Sequence, residues 1–201
     1  MSRKTLAFGV LLVAAIAAGY AAVRLTGAPH GSSTSEGEVP IGGPFELIDQ
    51  TGRTVTPKDY AGRLKLMYFG YTYCPDICPT GLALISSAYD LLTPEQQEKV
   101  VPIFITVDPE RDTQAAMADY VSLFHEDLQG LTGSVEAIES VKSVYRVYAK
   151  KAETEDRATT DYLVDHSTFT YLMDGDNRYL THFSHGTAPE DMAATITRYL
   201  E

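Results

Sequence analysis

At 201 residues the chain has room for one globular domain of ordinary size plus an appendage, and its 44% hydrophobic content excludes a wholly disordered protein. The formal charge of −11 deepens once Arg3, Lys4 and Arg24 of the amino-terminal segment are set aside, leaving 13 basic against 27 acidic residues. Such an acidic surface argues against nucleic acid and anionic lipid headgroups, which need basic patches, and favours a cationic cargo or a partner with a basic face.

Residues 5–23, TLAFGVLLVAAIAAGYAAV, carry no charge and match the roughly 20 residues that a helix needs to cross a bilayer. Arg3 and Lys4 hold the amino terminus in the cytoplasm and send the rest across, with Arg24 on the far side working against that asymmetry. Ala15-Ile16-Ala17 is a passable cleavage site, but the apolar run continues past it, so an anchor over residues 1–24 is expected in preference to a cleaved signal. Only four residues precede the run, too few for an Arg- and Ser-rich organellar transit peptide. The expected location is therefore a bacterial inner membrane, single-pass, with the domain in the periplasm. Residues 25–43 contain Gly, Ser and Pro without apolar periodicity and read as a flexible tether; the folded domain is expected over 44–201.

Within that domain, Phe45-Glu46-Leu47-Ile48 and Arg53-Thr54-Val55 flank a turn and predict a short hairpin. Residues 64–71 form a nearly continuous apolar run broken only by Lys65, as expected for a strand buried on both faces. A loop with the two cysteines follows, then a helix with Leu82, Ile85, Tyr89 and Leu92 on one face. Thr93-Pro94-Glu95-Gln96 is a capping box that opens a short helix, and residues 100–107, VVPIFITV, predict a second buried strand. Asp108 to Asp112 turn into a helix bearing Met117, Tyr120, Val121 and Phe124, with Asp112 in reach of a capping position. A short strand at Gly130 to Gly133 leads to Ser134, which caps a helix with Ile138, Val141 and Tyr145 inward. Residues 150–161 read as a solvated charged loop. Residues 168–173 and 179–183 flank Asp174-Gly175-Asp176-Asn177 as a hairpin, and Thr187-Ala188-Pro189-Glu190 predicts a capping box on a last helix with Met192, Ile196, Tyr199 and Leu200 on one face. A βαβα half followed by a ββα half implies an α/β thioredoxin-like fold with a parallel core.

Cys74 and Cys78 are the only cysteines. A bridge between them would close a loop of about five residues, and cross-link stabilisation grows with loop length, so a structural staple is a poor explanation. At the end of a buried strand and the start of a helix the pair is poised for chemistry, because helix amides favour thiolates. Three intervening residues suit two sulfurs converging on a metal while still permitting a disulfide; two thiolates select copper(I) and also hold zinc. A histidine would complete such a site. His30 lies in the tether, His125 at a helix end, His182 and His185 at a strand end and the loop after it. His166 precedes a strand on the side where a thioredoxin-like sheet approaches the cysteine loop; spacing alone leaves it a ligand or a hydrogen-bonded loop histidine.

Phe69-Gly70-Tyr71-Thr72-Tyr73-Cys74-Pro75-Asp76-Ile77-Cys78-Pro79, Val107-Asp108-Pro109-Glu110-Arg111-Asp112 and Asp165-His166-Ser167, in this order and spacing, resemble the Sco/SenC family, membrane-tethered copper proteins of cytochrome oxidase assembly. The resemblance runs from about Pro44 to the end. It implies a thioredoxin-like fold, a copper ion, as Cu(I) and Cu(II), held by Cys74, Cys78 and His166, and a place for Asp108 near the metal, orienting a ligand or meeting a partner. Tyr73 departs from the pattern, since many family members carry histidine there; that histidine is not one of the three ligands.

Two functions are consistent with these residues. One is a copper metallochaperone that delivers its ion to the binuclear copper centre of cytochrome c oxidase subunit II. The other is a thiol-disulfide oxidoreductase, using Cys74 and Cys78 as a redox disulfide to reduce the cysteines of that subunit or to act as a redox sensor. An upstream copper donor or a thiol reductant is an expected further partner. A thiol peroxidase is suggested by fold analogy only.

Overall fold

The computed structural model describes residues 40–152 and 162–201. The expected anchor at residues 5–23 and most of the expected tether lie outside them. Among the described residues no helix is long and apolar enough to cross a membrane.

Two strands dominate the core. β3 (Leu64–Gly70) and β4 (Val100–Thr106) are buried at every residue and pair in parallel from Leu64↔Val100 to Gly70↔Thr106. Their near-continuous apolar runs leave neither face for water, and each fully buried Leu, Ile or Phe contributes about 1.5–3 kcal/mol. β5 (Gln129–Thr132) extends the parallel set beside β4. The hairpin of β1 (Leu47–Asp49) and β2 (Thr54–Val55) adds antiparallel strands on that side. β8 (Thr170–Met173) and β9 (Tyr179–Phe183) close the other side, giving the seven-stranded order β2-β1-β5-β4-β3-β8-β9. With its helices this is a mixed α/β, thioredoxin-type sheet.

Among the described residues five α-helices accompany the sheet: α1 (Ile77–Asp90), α2 (Pro94–Gln97), α3 (Gln114–Val121), α4 (Val135–Tyr145) and α5 (Pro189–Leu200). The capping box at Thr93 forms, and Ser134 accepts from Ala137 N as expected. Elsewhere local signals point one residue off. Thr113 caps α3, accepting from Ala116 N, which frees Asp112 for other work. Ala188, not Thr187, is the N-cap of α5; the Thr187 hydroxyl donates instead to Ser184 O, and Tyr199 lies exposed. Phe124 lies beyond the end of α3, although it still packs against the core.

The charged stretch from Lys150 begins as structure. β6 (Ala149–Lys151) pairs antiparallel with β7 (Val164–His166) in a separate two-stranded ribbon, so His166 lies on a strand of its own rather than in a loop ahead of β8. The expected loop beyond Ala152 falls outside the described residues until Tyr162. At the front, Gly42 N donates to Val144 O, and Asn177 Nδ2 donates to Gly43 O.

One cation is buried in β3. Lys65 is fully enclosed, and its ammonium donates to the carbonyls of Asp174, at 2.6 Å, Arg63 and Gly175. Burial pulls its pKa below the ordinary lysine value.

A candidate metal centre

Strand direction brings the site together. β3 and β4 end side by side at Gly70 and Thr106, so the residues that follow each emerge on one edge of the sheet. β8 runs the other way, with Thr170 opposite Tyr68, so the chain that leads into β8, including His166, reaches the same edge. A crevice outside the carboxyl ends of parallel strands is where α/β sheets place their ligands.

The cysteine loop is tied down by Asp112. This fully buried carboxylate accepts from Thr72 N at 3.0 Å, Thr72 Oγ1 at 2.6 Å and Thr106 Oγ1 at 2.6 Å, while its own carbonyl accepts from Thr132 Oγ1 at 2.7 Å. The ends of β3, β4 and β5 thus share one residue. Burial pushes the carboxyl pKa up, against the pull of the Thr106 and Thr72 hydrogen bonds.

Cys78 falls in the first turn of α1, not in the loop before it. The N-cap, Asp76, makes no side-chain capping bond; instead the Cys74 sulfur accepts from Cys78 N at 3.3 Å. A sulfur in the capping position meets an otherwise orphaned amide and the positive end of the helix, both of which favour a thiolate. Cys78 is fully buried beneath it, and Cys74 is half-buried. Cys74 is pulled down to about 3, first by the hydrogen bond from Cys78 and then, against burial, by the amides of Cys78 and Asp76. Cys78 is pushed far up by the same hydrogen bond and by burial. Gly70 makes the packing possible, since a Cβ there would stand 2.7 Å from Cys78 Sγ and 2.9 Å from the Phe104 ring.

His166 approaches from the ribbon. Its Nδ1 lies 2.8 Å from Ser167 O, which can only accept, so Nδ1 carries the proton and Nε2 is bare. That Nε2 stands 3.3 Å from Cys78 Sγ. Tyr71 and Tyr68 pack edge-on against the imidazole, at 5.8 Å and 6.4 Å between ring centres. The donor atoms of Cys74, Cys78 and His166 all lie within 4.8 Å of one another. Three ligands at bond lengths near 2.0–2.3 Å form a triangle with edges of roughly 4 Å, so the spacing suits one thiophilic ion, and two sulfurs with an imidazole suit copper.

The remaining candidates stand apart from this triad. His125 bridges Asp90 Oδ1, at 3.1 Å, and Asp127 N; His182, on β9, meets Tyr179 of the same strand and Phe169 just before β8; His185 is exposed, and His30 lies outside the described residues. Among the described residues no other group of His, Cys, Asp and Glu is gathered as a metal site would be. The Asp108 carboxylate, buried just beyond β4, accepts from Arg111 Nε and, at 2.7 Å, from Tyr162 OH. Arg111 and Tyr162 escaped the sequence reading. Arg111 stood in a segment read as a turn, and Tyr162 had no periodic neighbours to mark it.

The SCO1/SenC family matches residues 33–201. Over 209 residues the chain is 37% identical to protein SenC of Rhodobacter capsulatus, covering 100% of this chain and 92% of that one. It is 43% identical over 163 residues to protein sco1 of Schizosaccharomyces pombe, an alignment that spans 81% of this chain and 62% of the yeast protein. Among solved structures, ScoI of Bradyrhizobium japonicum with copper bound is similar at a TM-score of 0.72 and 48% identity, over 79% of this chain and 99% of that one.

Proposed function

The chain belongs to the SCO1/SenC family, and we propose that it is a copper metallochaperone of cytochrome c oxidase assembly, with Cys74, Cys78 and His166 as the ligands. The observation that carries this reading is the convergence of two sulfurs and a bare Nε2 within 4.8 Å. Copper in the similar ScoI supports it. Delivery goes to the binuclear copper centre of subunit II, and an upstream donor loads the site. Three-coordination leaves room for an incoming thiolate, and Cys74, the more accessible sulfur, exchanges first. The domain spans residues 44–201, tethered through 25–43 to a single span at 5–23, and works on the periplasmic face of a bacterial inner membrane.

The test is titration of the reduced protein with copper(I) and copper(II). One equivalent binds tightly, and His166→Ala weakens copper(II) most, because the imidazole is the harder ligand. Absence of a tight equivalent, or indifference to His166→Ala, sinks the reading.

A second reading rests on the unequal thiols. A Cys74 thiolate over a buried, protonated Cys78 suits thiol-disulfide exchange. Cys74 attacks a partner disulfide and releases one partner thiolate; Cys78 gives up its proton, attacks the Cys74 sulfur and releases the second. Two electrons pass to the partner, and a Cys74–Cys78 disulfide remains. This reduces subunit II and needs no imidazole. A His166→Ala strain that assembles oxidase normally favours it over copper delivery.

A further inference from the structure

We propose that the turn of residues 108–111 is a clamp that positions His166 against the cysteines, with Arg111 as its centre and Asp108 and Tyr162 as its arms. The proposal rests on the reading of Cys74, Cys78 and His166 as one site.

The need for a clamp lies in the topology. The β6–β7 ribbon stands outside the seven-stranded sheet and has three residues per strand. A two-stranded ribbon of this size is marginal by itself, so side chains must set where His166 stands. Tyr162, two residues before β7, supplies the hold. Its hydroxyl donates to Asp108 Oδ1 at 2.7 Å, and its ring meets both the Arg111 guanidinium, 3.6 Å from the ring centre, and the Lys151 ammonium of β6, at 4.4 Å. Asp108 fixes the guanidinium through Arg111 Nε, and the arginine side chain is only 12% exposed, so water screens the pair little.

Arg111 also serves the other half of the site. Its guanidinium lies 4.7 Å from the Tyr73 ring centre and 5.6 Å from that of Tyr71. Tyr73 directly precedes Cys74, and Tyr71 OH accepts from Val164 N at 3.1 Å while its ring packs against His166. One planar cation thus faces the aromatic rings of both ligand-bearing segments, an arrangement that an ammonium would not reproduce. Asp108 acts through Arg111 and Tyr162 as a positioning residue.

Amide hydrogen exchange on the metal-free, full-length protein tests this without reference to copper. Arg111→Met and Tyr162→Phe should speed exchange at residues 162–167 by about tenfold, with Val164 the most informative amide, and leave β3 and β4 unchanged. Copper(II) affinity should fall about 10- to 100-fold in Arg111→Met, and Arg111→Lys should not rescue it. If Arg111→Met fails to fold, Tyr162→Phe, which removes a single oxygen, decides. Unchanged exchange at residues 162–167 overturns the clamp whatever copper does. Faster exchange in the variants, in a protein whose wild type binds no copper, supports the clamp and overturns the copper reading.

Discussion

The two halves of the site are built on different terms. Cys78 is enclosed by β3, α1 and Phe104, and the loop before it is bound to the ends of three strands through Asp112. His166 stands on a ribbon whose neighbours Asp165, Lys150 and Lys151 are all solvent-facing to some degree, with Val164 as its one buried residue. The sulfurs are held by the same burial that folds the domain, whereas the imidazole is held by a few aromatic and polar contacts. Global stability should therefore govern the thiol pair, and local opening should govern the histidine.

The sharpest way to break this contrast is Asp112→Ala. It strands the buried Thr106 donor and the part-buried Thr72 donors and should cost about 2–4 kcal/mol, read as a fall in the denaturant midpoint of the whole domain. A change confined to the cysteine loop would contradict the claim that this half and the core are one unit. Gly70→Ala should follow at about 1–3 kcal/mol by thermal unfolding, because its methyl group meets Cys78 Sγ and Phe104 below normal contact distance.

The thiol pair offers a third test, in pH. Cys74 alkylation in the wild type should stay nearly flat from pH 8 down to about 5 and fall only toward about 3. Cys78→Ala removes the main cause of the shift, and the inflection should climb toward the ordinary thiol range. Between about 3 and the ordinary value of 9.0 the unfolded chain binds a proton at Cys74 and the folded one does not, so this group's stabilisation is full at and above 9.0 and is lost as pH falls toward about 3. Cys78 stays protonated in the fold and works the other way only above the ordinary thiol range. The smallest effect is expected at Lys151→Ala. Its partner Glu110 is exposed, and the unfolding midpoint should not move measurably, although exchange near Tyr162 should quicken.

The same contrast explains what could be read from the chain alone. β3 and β4 announce themselves as unbroken apolar runs, and the caps at Thr93 and Ser134 follow from local chemistry that tertiary packing leaves intact. The cysteine loop was legible because it hangs from such a strand. The ribbon was not, since Ala149-Lys150-Lys151 has no apolar alternation and its pairing is decided by a distant segment. Asp112 misled because Asp and Thr are both good caps; Thr113 takes the cap, and burial among threonines gives Asp112 its role. Arg111 and Tyr162 are 51 positions apart, and only the folded sheet edge brings them together.

Lys65 bears on how the chain comes to be folded. A charged group sits at the second residue of β3, and two of the three carbonyls that receive it belong to the hairpin turn more than 100 residues downstream. Until that turn is available the cation has only the neighbouring Arg63 carbonyl to meet it, and closing the core around it costs several kcal/mol. A chain emerging from the ribosome, or threading across a bilayer, therefore cannot lock its first long strand before nearly all of its length is free. Under the proposed periplasmic placement, that delay keeps the chain unfolded until it has passed.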